Sequence, residues 1–217
     1  MLNHHCKICG SQTREIVIET LGAAYYYCEA CEFVAKDENL KLSHQEELGI
    51  YETHENSIED PRYVAYFKKF LDAAVFNHYP KPGYGLDFGS GPSPVLATLL
   101  ERDYGLIMDI YDHFYSPQKV YVGKKYDLVT STEVVEHLDD PLAYFSLFKS
   151  LLKDEGILSI MTLFHHNDNN AFRTWHYVRD QSHRSFYTVK TLEVIAEKTG
   201  LELIDTNHHR YSTFRKS

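Results

Sequence analysis

With 217 residues, 43% of them apolar and 14% aromatic, the chain can pack one full-sized domain plus a small appendage. Its formal charge of -9, from 22 Lys and Arg against 31 Asp and Glu, excludes a strong positive field toward nucleic acid or anionic lipid, so small or uncharged partners are expected. No run approaches the ~18 apolar residues of a membrane span, and no basic and apolar leader follows Met1, so a cytoplasmic location is expected.

All the cysteines come first, as Cys6, Cys9, Cys28 and Cys31, in the spacing C-x2-C-x18-C-x2-C. In a reducing compartment such clustering points to metal rather than disulfides. Two tight turns, each presenting two thiolates, close a tetrahedral site and leave no position for substrate, so a structural zinc ribbon is expected over residues 1–35. Gly10 follows the first pair where a turn needs a positive φ; Glu32 holds the equivalent place after the second. A redox dithiol explains either pair alone but not both. His4 and His5 stand close enough to substitute as ligands.

Residues 36–58 are polar and acidic and read as a linker with one short helix. Asp60 and Pro61 then form an N-cap and a first-turn proline. Tyr63, Val64, Phe67, Phe70, Leu71, Ala74 and Val75 recur at helical spacing, which predicts a helix to about Asn77. The aromatics of residues 36–80 read as core first, with Tyr51 and Tyr63 as candidates for covering a ligand.

From residue 84 strands and helices alternate. "YGLDF", "GLIMDIYD", "YDLVTS", "GILSIMTL", "LELIDT" and "YSTF" read as strands. "VLATLLERD" follows Pro92 and Pro94, Asp140 and Pro141 open "PLAYFSLFKSLLKD", and Thr188 caps "VKTLEVIAEKTG", which Gly200 ends. This alternation predicts an α/β, doubly wound sheet over residues 81–217, covered on both faces.

"LDFGSGPSP", residues 86–94, sits at the first strand-to-helix turn. Gly89 and Gly91, flanking Ser90, are expected to let backbone amides approach a cofactor. Asp87 brings negative charge that is ill suited to a diphosphate and suits a ligand carrying ammonium and sulfonium groups. Asp112, or Asp109, ends the second strand where an acid can accept from ribose hydroxyls.

Over residues 82–214 the sequence resembles the class I S-adenosylmethionine-dependent methyltransferases. "LDFGSGP" is similar to that family's first motif, and "YDLVTSTEVVEHLDDP" with "LLKDEGIL" is similar to its later strand-helix-strand block. A subgroup with an N-terminal four-cysteine zinc module shares features present here as "YDHFYSP", "STEVVEHL" and "WHYVRDQSHRSFYT". Ser93 replaces the motif's frequent third glycine, and the second acid comes later than usual. The resemblance implies a Rossmann-like, seven-stranded sheet whose last strand, about Tyr211 to Phe214, runs antiparallel. It also implies S-adenosylmethionine as cofactor, with Asp87, Gly89, Ser90 and Gly91 at its methionine end and Asp112 on the ribose. Ser131, Thr132 and Glu133 would border the methyl-donor end.

A protonated acceptor must lose its proton, and His137, His176 and His183 compete for that catalytic role. His137 follows Glu136, which can orient it or can equally mark a structural helix start. In "TWHYVRDQSHRSFYT", Arg179, Asp180 and His183 are candidates for recognising a polar acceptor and Trp175 and Tyr177 for closing over it; anchoring of a long loop is the alternative. The pairs His165–His166 and His208–His209 read as surface positions. "STEV" stands where amino-methylating relatives carry N/D-P-P-[YF], which leaves oxygen or carbon of a small molecule as acceptor. Rival readings are an RNA-directed methyltransferase, which would call for Lys and Arg clusters, a zinc-module adaptor without activity, and a nicotinamide-dependent oxidoreductase, whose G-x-G-x-x-G is interrupted by Pro94.

Overall fold

A computed structural model describes residues 4–52, 57–79 and 83–216. The boundary expected between 80 and 81, and part of the linker expected over 36–58, fall outside these residues. Three short strands open the chain: β1 (Arg14–Ile18), β2 (Ala23–Tyr27) and β3 (Val34–Lys36) pair as an antiparallel meander. In β1 only Ile16 and Ile18 are buried, the alternation of a strand with one covered face.

Local capping explains where the helices begin. Helix α1 (His44–Tyr51) starts at a capping box between Ser43 and Glu46. Helix α2 (Pro61–Phe70) starts at Asp60, whose carboxylate accepts the Arg62 N–H, and it continues through a π-helical turn, Leu71–Phe76, to the end expected near Asn77. The chain then alternates: β4 (Tyr84–Phe88), α3 (Val95–Tyr104), β5 (Ile107–Tyr111), β6 (Tyr126–Thr132), α4 (Pro141–Leu151) and β7 (Leu152–Met161). After α5 (Asn169–Thr174) come β8 (Ser185–Phe186), α6 (Val189–Thr199), β9 (Leu201–Thr206) and β10 (Tyr211–Lys216). Asp140 and Thr188 cap α4 and α6 as expected, and Gly200 ends α6 at φ 69°.

The main sheet has the order β5-β4-β6-β7-β10-β9, with its first four strands parallel and β10 antiparallel to both neighbours. The α/β, Rossmann-like class and the antiparallel last strand hold. The seventh strand does not: among the described residues the sheet has six. Residues 112–125 join β5 to β6 directly, folding back through an Asp112–Ser116 bridge and a turn at Gly123, φ 79°. A parallel crossover takes about a dozen residues, so this segment supplies one crossover and not two. Strand β5 is left as the edge.

Helices α2 and α3 cover one face, where Phe70, Leu71, Leu96 and Leu99 pack with Leu128 and Ile157. Helices α4 and α6 cover the other, where Phe145, Phe148 and Leu192 pack with Val129 and Phe214. That second cluster also takes in Cys6, Cys28, Cys31 and Phe33. Strand β8 pairs with β3, so the small sheet, β1-β2-β3-β8, is built from both the N-terminal strands and the loop after β7.

Candidate active site

The carboxyl ends of β4, β5 and β6 open into a cavity of about 970 Å³, roofed by α1 and the start of α2. Strand β4 is buried from Gly85 onward, and its Asp87 is 2% exposed. Thr130 Oγ1 donates to Asp87 Oδ1 at 2.9 Å. Burial, relieved by that hydrogen bond and reinforced by the charge of Asp112, pushes the Asp87 carboxyl up to about 7.

The glycine turn works differently from the expectation. Gly89 adopts φ 89°, and a Cβ there would lie 2.1 Å from Val134 Cγ2, so the approach that excludes a side chain is made by protein. The N–H groups of Gly89 and Ser90 donate to Tyr111 O at 2.8 and 3.2 Å. That of Gly91, at φ 66°, donates to Asp112 Oδ2 at 2.9 Å. All three amides therefore have protein acceptors.

Asp112 lines the cavity, its other oxygen accepting from the N–H groups of Phe114 and Tyr115 at 2.9 and 3.0 Å. Asp109 lies outside it, held by Lys124 and Tyr126 at 2.7 and 2.6 Å. Thr132 and Glu133 border the cavity, as do Tyr51 and Tyr63. Ser131 does not. Side chains alternate along β6, and Ser131 falls on the face of Val129, under α4, where it is fully buried.

Glu133 anchors a hydrogen-bond network that the sequence did not announce. It stands at φ 53°, its N–H donating to Met161 O at 2.8 Å, and its carboxylate accepts from Tyr66 at 2.7 Å and Tyr177 at 3.1 Å. The Tyr177 hydroxyl also meets Glu136. Glu136 is fully buried, and burial together with the charge of Glu133 holds its carboxyl well above the usual range. The one sequence signal was the three-residue spacing of the two acids in "STEVVEHL".

Of the three candidate bases, two converge. The rings of His137 and His183 lie 4.8 Å apart. His137 Nδ1 faces Ser182 O at 3.2 Å and His183 Nδ1 faces Tyr177 O at 2.8 Å. A carbonyl only accepts, so each neutral ring donates from Nδ1 and keeps its basic lone pair on Nε2. Burial lowers the pKa of His183, and Asp180 Oδ2 stands 3.6 Å from its Nε2. The donor atoms of Glu136, His137 and His183 all lie within 4.8 Å of one another. His176 touches the cavity from an exposed position at its rim. Asp180 and Tyr177 line the cavity, whereas Arg179 is exposed outside it. Trp175 packs instead against Phe172, Tyr177 and Phe186 and does not line the cavity.

The sulfur atoms of Cys6, Cys9, Cys28 and Cys31 lie within 4.8 Å of one another, with Cys9 and Cys28 at 3.3 Å and Cys6 and Cys31 at 3.5 Å. An ion about 2.3 Å from four tetrahedral sulfurs needs sulfur separations of about 3.8 Å, so the cluster fits zinc. The two turns match: Gly10 N–H donates to Cys6 O at 2.9 Å, and Glu32 N–H to Cys28 O at 2.8 Å. Glu32 takes the left-handed φ of 63° that glycine would occupy. His165, expected at the surface, is buried: its Nε2 faces Glu32 O at 2.8 Å, and burial pushes its pKa down to about 4.

No helix among the described residues is long and apolar enough to cross a membrane. A curated ubiquinone biosynthesis O-methyltransferase of Dinoroseobacter shibae is 34% identical over 129 residues, 56% of this chain and 51% of that protein. Its counterpart in Histophilus somni is 31% identical over 136 residues, 61% of this chain and 48% of that protein. This chain thus spans about half the length of the curated relatives it matches. In fold it is similar to the 1,6-didemethyltoxoflavin-N1-methyltransferase of Burkholderia thailandensis, with a TM-score of 0.57 and 15% identity over 90% of this chain and 96% of that one. Residues 60–206, which carry α2, the glycine turn, the acids and the converging histidines, match the family described as a methyltransferase domain, and the chain belongs to that family.

Proposed function

We propose that this protein transfers a methyl group from S-adenosylmethionine to an oxygen or carbon of a small-molecule acceptor, and that its four cysteines hold a structural zinc ion. The observation that carries the reading is the polarity of the glycine turn. Its three amides are engaged by Tyr111 O and Asp112, while the carboxylates of Asp87 and Asp112 face the cavity. That wall offers negative charge and hydrogen-bond acceptors, the reverse of the amide nest that cradles a diphosphate. It suits an ammonium, a sulfonium and ribose hydroxyls, and it speaks against a nicotinamide dinucleotide. The names of the curated relatives favour oxygen over carbon.

When bound, S-adenosylmethionine supplies a methyl group on a positive sulfur, which the acceptor displaces in line while the sulfur keeps the bonding pair. Asp87 and Asp112 hold the cofactor's polar groups, and Tyr51 and Tyr63 exclude water from above. Tyr66 and Tyr177 fix Glu133 at the boundary between the cofactor and acceptor halves. Aligning the acceptor is the larger part of the catalysis, because the methyl carbon is already activated. His137, oriented by Ser182 O, takes the acceptor's proton on Nε2.

The net charge of -9 argues against RNA as acceptor. For the zinc ion, the support is four thiols converging from two matched turns. The test is incubation with methyl-labelled S-adenosylmethionine and a panel of phenols, alcohols and carbon acids. Labelled product from any member supports the reading. Label transferred to RNA and to none of the panel would replace it with the RNA-directed alternative.

A further inference from the structure

The loop between β7 and α6 lines the acceptor half of the cavity through Tyr177, Asp180, Gln181, Ser182, His183 and Arg184. Much of what holds this loop comes from the N-terminal module. The backbone N–H of Lys36 donates to Arg184 O at 2.8 Å, and its Nζ donates to Gln181 O at 2.6 Å. Lys36 is 6% exposed and makes no ion pair among the described residues, and its buried ammonium donates to a loop carbonyl. Tyr25 donates to Val178 O at 3.4 Å, and β3 pairs with β8 just beyond His183.

The cysteine turns themselves reach the far end of the loop. Thr191 Oγ1 donates to Cys31 O at 2.8 Å, and Thr188 Oγ1 donates to Glu32 Oε2 at 2.8 Å. These two threonines form the capping box that starts α6. His165, at the loop's near end, meets Glu32 O. The cofactor half is connected otherwise: the hydrogen bonds of Asp87, Gly91 and Asp112 described above stay within residues 86–130.

We propose that the four-cysteine module is a clamp that positions the acceptor loop, with Lys36 as its positioning residue. Releasing the module frees the acceptor half of the site while the cofactor half keeps its ligand. The assignment of the two halves rests on the methyltransferase reading; the coupling rests on the hydrogen bonds above. A buried ammonium bound to a carbonyl is a costly group to retain in a merely structural strand, and its one evident effect is to fix the backbone between Asp180 and His183.

The test is amide hydrogen exchange on the full-length protein, with S-adenosylhomocysteine affinity measured in parallel. The probes are the amides of Ser182, His183 and Arg184, which donate to Asp180 Oδ1, Asp180 O and Glu136 O. In Lys36→Met, exchange at these amides should accelerate about tenfold or more, as expected for losing a buried hydrogen bond to a charged group. Amides of β4, β6 and β7 should keep their rates, S-adenosylhomocysteine should bind within a factor of about two of wild type, and Lys36→Arg should recover part of the protection. Should Lys36→Met fail to fold, wild-type protein stripped of metal by a mercurial reagent should show the same loop-selective loss. Unchanged protection, or a uniform loss across the whole chain, would overturn the clamp. So would a fall in S-adenosylhomocysteine affinity in step with the loop. If wild type binds no S-adenosylhomocysteine at all, the methyltransferase reading fails, and the exchange pattern still decides the coupling.

Discussion

Thr130 reaches across from β6 and donates to Asp87 on β4 at 2.9 Å, beneath the glycine turn and out of solvent. Burial still wins over that hydrogen bond, leaving Asp87 near 7, well above an exposed carboxylate. A cation bound beside Asp87 favours its ionised form. Cofactor binding should therefore release a proton near neutrality, and affinity should fall as pH drops below about 7 and level off above it. The limiting slope is about tenfold per pH unit. Titrations with S-adenosylmethionine between pH 5.5 and 8.5 check this, and Asp87→Asn should bind weakly at every pH. A pH-independent affinity in wild type would remove Asp87 from the site.

Gly89 makes a separate, structural prediction. A methyl group there would sit 2.1 Å from Val134 Cγ2 on a backbone at φ 89°. Gly89→Ala should destabilise the protein by about 1–3 kcal/mol from overpacking, with the positive φ adding to it. The double variant Gly89→Ala, Val134→Ala should relieve the clash but not the backbone strain. Denaturant melts of the two variants separate the contributions.

His137 is predicted to act on the acceptor and not on the cofactor. His137→Ala should lower kcat by about 10²- to 10⁴-fold, the usual reach of a general base. Affinity for S-adenosylhomocysteine should not change. Full turnover in that variant would move the role to His183.

Metal analysis should return about one zinc per chain. Cys28→Ser removes a fully buried ligand and should abolish binding and melt the small sheet. A native, folded preparation free of zinc would contradict the ribbon.

What could be read from the sequence was local. Asp60, Asp140, Thr188 and Gly200 mark helix ends because a cap depends on neighbours three or four positions away. The acidic end of β4, the antiparallel last strand and the convergence of the cysteines followed from pattern and resemblance. What escaped depends on contacts distant along the chain. Tyr66 and Tyr177 come to Glu133 from 67 and 44 residues away. His165 looks like a surface residue until Glu32, 133 residues earlier, is placed against it. Strand β8 is two residues inside a loop, too short for any periodicity, and its Phe186 packs against Trp175. Gly89 was singled out for the approach of a cofactor, and the neighbour that forbids its side chain is Val134.

The most direct measurement is calorimetric titration of the purified protein with S-adenosylmethionine beside NADH at neutral pH. Saturable binding of the first at one site per chain, greatly weakened in Asp87→Ala, and no heat from the second is the outcome expected of the methyltransferase reading. Saturable NADH binding, or a folded protein indifferent to S-adenosylmethionine, would contradict it.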